Sequence, residues 1–145
     1  MNVPSAIILY TTRTNNTRVI AEYIAEGIRF SGFKAAVKNM EEIADPAELE
    51  AYDAIVLGSA TYNSNIMEEM MEFFDVLRSL NLQGKKGGAF GAYGWSGEAP
   101  DEIYKFMKDE LRIILPTDSL RLKDPNAGGG VKMAQDYGRE IAKLM

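Results

Sequence analysis

The chain contains neither cysteine nor histidine. The first absence excludes disulfides, a thiolate nucleophile, iron–sulfur ligation and sulfur-ligated zinc. The second leaves a metal only carboxylates, hydroxyls and carbonyls as ligands, and leaves acid–base chemistry to Asp, Glu, Lys or Tyr. Triad hydrolases and zinc enzymes are therefore ruled out. Positive charge is also scarce: 16 Lys and Arg stand against 21 Asp and Glu, a formal net charge of −5, and no basic cluster interleaved with aromatics offsets it. Such a chain repels nucleic acid and anionic lipid surfaces, so proteins with basic patches are the expected partners. Met1 to Ser5 carry no charged leader before an apolar run, and no stretch approaches the ~20 apolar residues that span a bilayer. The expectation is a cytoplasmic protein with no membrane insertion.

What is present suffices for one domain over residues 1–145. With 46% apolar residues the chain can build a real core, and it shows no linker, internal repeat or low-complexity tract. Ala6 to Tyr10 form a short continuous apolar run that ends in Thr11 and Thr12, as a strand buried on both faces does. From Thr17, Ile20, Ile24 and Ile28 recur at helical spacing until Gly32. Lys34 to Met40 alternate weakly, as in a strand near a sheet edge, and Asp53 to Gly58 repeat the buried-strand pattern. Ile66, Met70, Phe73, Leu77 and Leu80 predict a second helix, with Gly84 after its end. Gly87 to Tyr93 read as a Gly-rich strand open to close packing by a helix or ligand. Pro100 suits the first turn of a helix carrying Ile103, Met107 and Leu111. Leu120 and Leu122 mark a fifth strand, and Gly128 to Gly130 precede a last helix on Val131, Ala134, Tyr137 and Ile141. Strand and helix alternate five times, which argues for an α/β fold with a parallel sheet and helices on both faces. In such sheets ligands bind outside the carboxyl ends of the strands, where strand order reverses.

Three loops leave the buried strands. The first, Thr11-Thr12-Arg13-Thr14-Asn15-Asn16-Thr17, sets hydroxyl and amide side chains beside the free N–H groups of a helix start. That is a phosphate cradle needing no lysine, although helix capping alone would use the same residues. The Walker and dinucleotide glycine signatures are absent, which disfavours a triphosphate or NAD. The second loop, Ser59-Ala60-Thr61-Tyr62-Asn63-Ser64-Asn65, puts an aromatic beside Asn63, a residue that tolerates a tight turn. The third, Tyr93-Gly94-Trp95-Ser96-Gly97-Glu98, holds the single tryptophan between two glycines. A cradle and two aromatic walls describe a site for a flat ring with a phosphate tail, and FMN is the commonest such ligand without adenine.

Ile8-Leu9-Tyr10-x-Thr12-x-x-Asn15-x-Thr17-x-x-x-Ala21-x-x-Ile24 resembles the flavodoxin signature at every diagnostic position but Asn15, where the family usually has glycine or another small residue. Ser59 to Asn63 and Gly91 to Gly97 are most similar to the flavodoxin module of flavodiiron proteins, without the histidines a diiron domain needs. The uninterrupted fifth strand resembles short-chain flavodoxins. The resemblance implies a flavodoxin-like three-layer sandwich with strand order 2-1-3-4-5. It implies that Thr12, Arg13, Thr14, Asn15, Asn16 and Thr17 hold the phosphate of a noncovalent FMN. Ala60, Thr61, Tyr62 and Asn63 would flank the isoalloxazine, with Tyr62 stacked on one face and the peptide after Asn63 turning its carbonyl toward flavin N5 on reduction. Trp95 would contact the ring, and backbone groups of Tyr93, Gly94 and Gly97 its pyrimidine edge. The implied function is electron transfer between redox partner proteins through the semiquinone/hydroquinone couple, with no catalytic residue and no metal.

Two other readings stay open from sequence: an NAD(P)H-dependent flavin or quinone reductase of the same fold, and a flavin-free interaction module. A receiver domain would need acidic residues where Thr11-Thr12 and Ser59-Ala60 stand. Met67, Met70 and Met71 are expected in the core, and Glu68, Glu69 and Glu72 on a solvated face that could steer a basic partner.

Overall fold

Every second side chain of a strand points to the same face, so a strand with helices above and below it must be apolar throughout. The computed structural model, which describes residues 3–11, 16–59, 61–62, 65–66, 68–92, 98–122 and 128–145, shows how the first strand meets that condition. β1 (Ser5–Thr11) lies between β2 (Lys34–Asn39) and β3 (Ala54–Ser59), followed by β4 (Lys86–Ala92) and β5 (Leu120–Leu122). The order is β2-β1-β3-β4-β5, all pairs parallel, with Ile8 beside Val37 on one side and Val56 on the other. Four α-helices cover the sheet: α1 (Asn16–Phe30), α2 (Glu68–Arg78), α3 (Glu98–Asp109) and α4 (Gly130–Leu144). Ile7, Leu9, Ile55 and Leu57 pack with Met70, Leu77, Ile103 and Met107 of α2 and α3. Ala6, Ile8, Val56 and Phe90 pack with Ile20, Ile24, Tyr137 and Ile141 of α1 and α4. The sequence expectation of a doubly covered, five-stranded 2-1-3-4-5 sheet is thus met.

Local departures have identifiable causes. The crossing from β2 to β3 uses two 3-10 turns, Met40–Glu42 and Pro46–Ala51, where strict alternation would place an α-helix. Asn39 Oδ1 accepts the Glu41 N–H at 3.0 Å while the Asn39 N–H donates to Glu42 Oε1 at 2.8 Å, and Asp45 Oδ1 accepts the Ala47 N–H at 3.0 Å. Side chains that bond to nearby backbone favour short turns over a continuing helix. α2 begins at Glu68, not at Ile66, because Asn65–Ile66 pair antiparallel with Thr61–Tyr62. Two glutamates then suit the positive end of the helix. Met70 is buried as expected, whereas Met71 is 55% exposed, and Met67 lies outside the described residues.

Two close approaches need glycine. α1 crosses α4 at Gly27 and Gly138, where an added methyl would run into the carbonyl oxygens of Gln135 and Ile24 respectively. In β4, Gly88 leaves room for the Tyr137 ring and Ile141, so the packing partner of this glycine is a helix. Tyr137 also bonds where β5 has not yet begun. Its Oη accepts the Ala89 N–H at 3.1 Å and donates to the Asp118 carbonyl at 3.0 Å.

Candidate functional site

The chain leaves β1 toward β2 and leaves β3 toward β4, in opposite directions across the sheet. The crevice at the carboxyl ends of these two strands is the switch point where open α/β sheets bind ligands. Thr11 and Ser59, the last residues of β1 and β3, are register partners there, and both are buried. β4 ends at Ala92 beside them. The loops predicted to bind therefore depart from three consecutive strands at one rim.

Thr17 in the first turn of α1 carries the most informative atom. Its side chain is fully buried, and Oγ1 finds no hydrogen-bond partner among the described residues. A buried hydroxyl left unpaired costs about 1–3 kcal/mol, and native structures rarely tolerate it without a reason. The first turn of α1 contains no acidic residue, so the positive end of the helix is not neutralised from within. A buried donor at a helix start, without a partner among the described residues, fits the oxygen of a phosphate.

Beyond the rim, Glu68, Glu69 and Glu72 are exposed on α2 next to Met71. On the other side of β1, burial pushes the Tyr10 phenol above its ordinary range, against the opposing pull of Arg18. Pro100 of α3 packs over Gly91 near the end of β4, which braces the strand from which the third loop leaves.

Among the predicted site residues, the structure describes Asn16 and Thr17, at the start of α1, and the backbone of Thr61 and Tyr62, paired with Asn65 and Ile66. Thr12, Arg13, Thr14, Asn15, Ala60, Asn63, Tyr93, Gly94, Trp95 and Gly97 lie outside the described residues. Sequence reasoning did not single out Thr11 and Ser59 as a paired floor. Their only signal was that each is a hydroxyl residue ending an apolar strand. Gly91 with Pro100 was also missed as a brace, since the two are nine positions apart on different elements.

A parallel sheet of this order, with an anion-accepting helix start at its switch point, defines a mononucleotide-binding type of α/β protein. Comparison with known proteins narrows that class. The flavodoxin family profile matches residues 8–120, and the chain belongs to the flavodoxin family, which binds FMN. The anaerobic nitric oxide reductase flavorubredoxins of Vibrio vulnificus and Pectobacterium carotovorum are 34% and 32% identical to it over 94% of its length. The chain spans 28% of the length of each of these relatives. The solved structure of a flavodoxin from the domain Archaea matches with a TM-score of 0.89 at 33% identity, covering 96% of both chains. The rubredoxin oxygen:oxidoreductase of Desulfovibrio gigas shares the fold, with a TM-score of 0.88 at 22% identity over 97% of this chain and 36% of that one.

Proposed function

We propose that this chain is an electron carrier that holds FMN noncovalently and exchanges electrons with redox partner proteins in the cytoplasm. The observation that supports the reading is the buried Thr17 hydroxyl at the switch point, which has no hydrogen-bond partner among the described residues and suits a phosphate group. FMN, when bound, supplies reversible one-electron chemistry. The protein's own work is to bind, orient and tune.

Thr17 Oγ1 would donate to the phosphate, and the N–H groups of the α1 start, with Thr12, Arg13, Thr14, Asn15 and Asn16, would complete the cradle. Tyr62 and Trp95 wall the ring, while Ala60, Thr61 and Asn63 line its edge on one side. Backbone groups of Tyr93, Gly94 and Gly97 bond to its polar edge on the other. Glu68, Glu69, Met71 and Glu72 are exposed on the first turns of α2, directly after the second loop. Exposed carboxylates there suit a partner whose own docking patch is basic. Support for a carrier comes from the likeness to the archaeal flavodoxin, with a TM-score of 0.89 at 33% identity.

Anaerobic reductive titration of the FMN-loaded protein tests this. Two separate one-electron steps, and no bleaching by NADH unless a reductase is added, are expected. Prompt bleaching by NADH alone would establish a reductase and defeat the carrier reading.

A further inference from the structure

At the opposite end of the sheet from the flavin rim, the connection from α2 to β4 and the chain leaving α3 enclose a cleft of about 310 Å³. Leu80 and Leu111 form its apolar wall, and Arg78, Asn81, Glu110 and Arg112 line it as well. The carboxylate is already engaged: Arg78 Nε and Nη2 donate to the two oxygens of Glu110 at 3.0 and 3.3 Å, and the same guanidinium pairs with Asp75. Arg112 differs. Its guanidinium has no ion pair or hydrogen bond among the described residues. Arg78 is neutralised by Glu110 and Asp75, so Arg112 is the lining cation left without a counter-charge among the described residues.

The backbone at Arg112 adds a second, independent observation. Its φ of +57° makes it the one non-glycine among the described residues in the left-handed region. It follows the end of α3, where the Leu111 N–H still bonds back to Phe106 and the Ile113 N–H to Met107. Glycine is the usual residue at such a helix end because a Cβ is disfavoured there. A long cation in this strained position, unpaired and beside a cleft, is the pattern expected where strain serves binding.

We propose that this cleft binds an oxyanion, carboxylate or phosphate, with Arg112 as the charged contact and Leu80 and Leu111 as its apolar wall. The planar guanidinium can meet such a group with two parallel hydrogen bonds. The oxyanion can come from a free small molecule or from an acidic segment of a partner protein, and the two sources are separable by experiment.

Amide ¹H–¹⁵N spectra of the FMN-saturated protein, titrated in turn with inorganic phosphate, citrate and hexa-aspartate, test the proposal. FMN occupies the phosphate subsite at Thr17, and shifts at Asn81 and Arg112 are read apart from any at α1. At least one probe is expected to shift Asn81 and Arg112 saturably. Phosphate or citrate would identify a small-molecule anion, and hexa-aspartate alone a partner's acidic segment. Arg112→Gly should weaken the effect at Asn81 by about tenfold or more while raising the melting temperature, since it relieves the backbone. Arg112→Lys should retain part of it. Saturable shifts at Asn81 that persist unchanged in Arg112→Gly, or none with any probe, would overturn the proposal.

Discussion

Thr17 and Tyr137 show how differently two buried hydroxyls can be used. Thr17 Oγ1 is without a partner among the described residues, whereas Tyr137 Oη both accepts from Ala89 and donates to Asp118. Replacing Thr17 with the isosteric Val should leave the flavin-free protein as stable as before or slightly more so, because an unpaired buried group disappears. FMN affinity should fall about tenfold or more, as expected for losing a hydrogen bond to a charged group, while riboflavin affinity stays unchanged. Fluorescence titrations with the two flavins check this, and an equal loss for both would show that Thr17 does not meet the phosphate.

Tyr137→Phe should cost about 1–3 kcal/mol in urea denaturation, since the Ala89 N–H is left buried and unpaired. Burial raises the Tyr137 phenol pKa, partly opposed by the Ala89 hydrogen bond. In the unfolded chain the phenol ionises near pH ~10, so its contribution is fully present below that value and is lost as pH climbs toward the raised folded pKa. Stability of the wild type should therefore decline above pH ~10 more steeply than that of Tyr137→Phe. Parallel slopes would refute the assignment. Thr17 was legible in the sequence because its role is local, a hydroxyl at a helix start. Tyr137 was legible only as an apolar face residue. Its hydroxyl partners, Ala89 and Asp118, lie 48 and 19 positions away, and the second depends on where β5 begins.

Among the elements, the α1–α4 crossing depends on the missing Cβ atoms of Gly27 and Gly138. Gly138→Ala should destabilise the fold by about 1–3 kcal/mol through overpacking, even though alanine is the better helix former. A calorimetric melting temperature that rises instead would mean the helices have room to separate. Apolar periodicity located all five strands and the four α-helices, because each buries an apolar face. It placed the start of α2 too early, since Ile66 continues the helical spacing while its backbone pairs with Thr61. It carried the second strand through Met40, which instead opens the first 3-10 turn, and assigned nothing to 41–51, where Leu49 is buried. β5 is three residues long and pairs with β4, and side chains tether the segment that leads into it. Tyr104 donates to the Pro116 carbonyl at 2.6 Å and Ser119 to Asp101 at 2.7 Å. Such tethers carry no sequence period.

For the molecule as a whole, charge sets the terms of encounter. Glu68, Glu69 and Glu72 are exposed at the start of α2, and the chain is acidic overall. Reversing all three to Lys should slow electron delivery to a basic acceptor severalfold and flatten its dependence on ionic strength, with FMN binding unaffected. Stopped-flow rates with a cationic cytochrome c as acceptor at low and high salt would reveal it. An unchanged rate would mean that the acidic face is only solvated. The parallel sheet and the rim where three loops leave it were readable because strand runs and loop composition repeat three times along the chain, whereas the 2-1-3-4-5 order was implied by the resemblance to flavodoxins. How three such loops would meet a ring is not readable from sequence, because that geometry depends on contacts between segments far apart in the chain.

The most direct test of the account is equilibrium titration of the flavin-free protein with FMN and, separately, with riboflavin, followed by flavin fluorescence. A one-to-one complex in which FMN binds far more tightly than riboflavin is the predicted result. Unquenched FMN, or equal affinity for the two, would contradict a site organised around a phosphate at the start of α1.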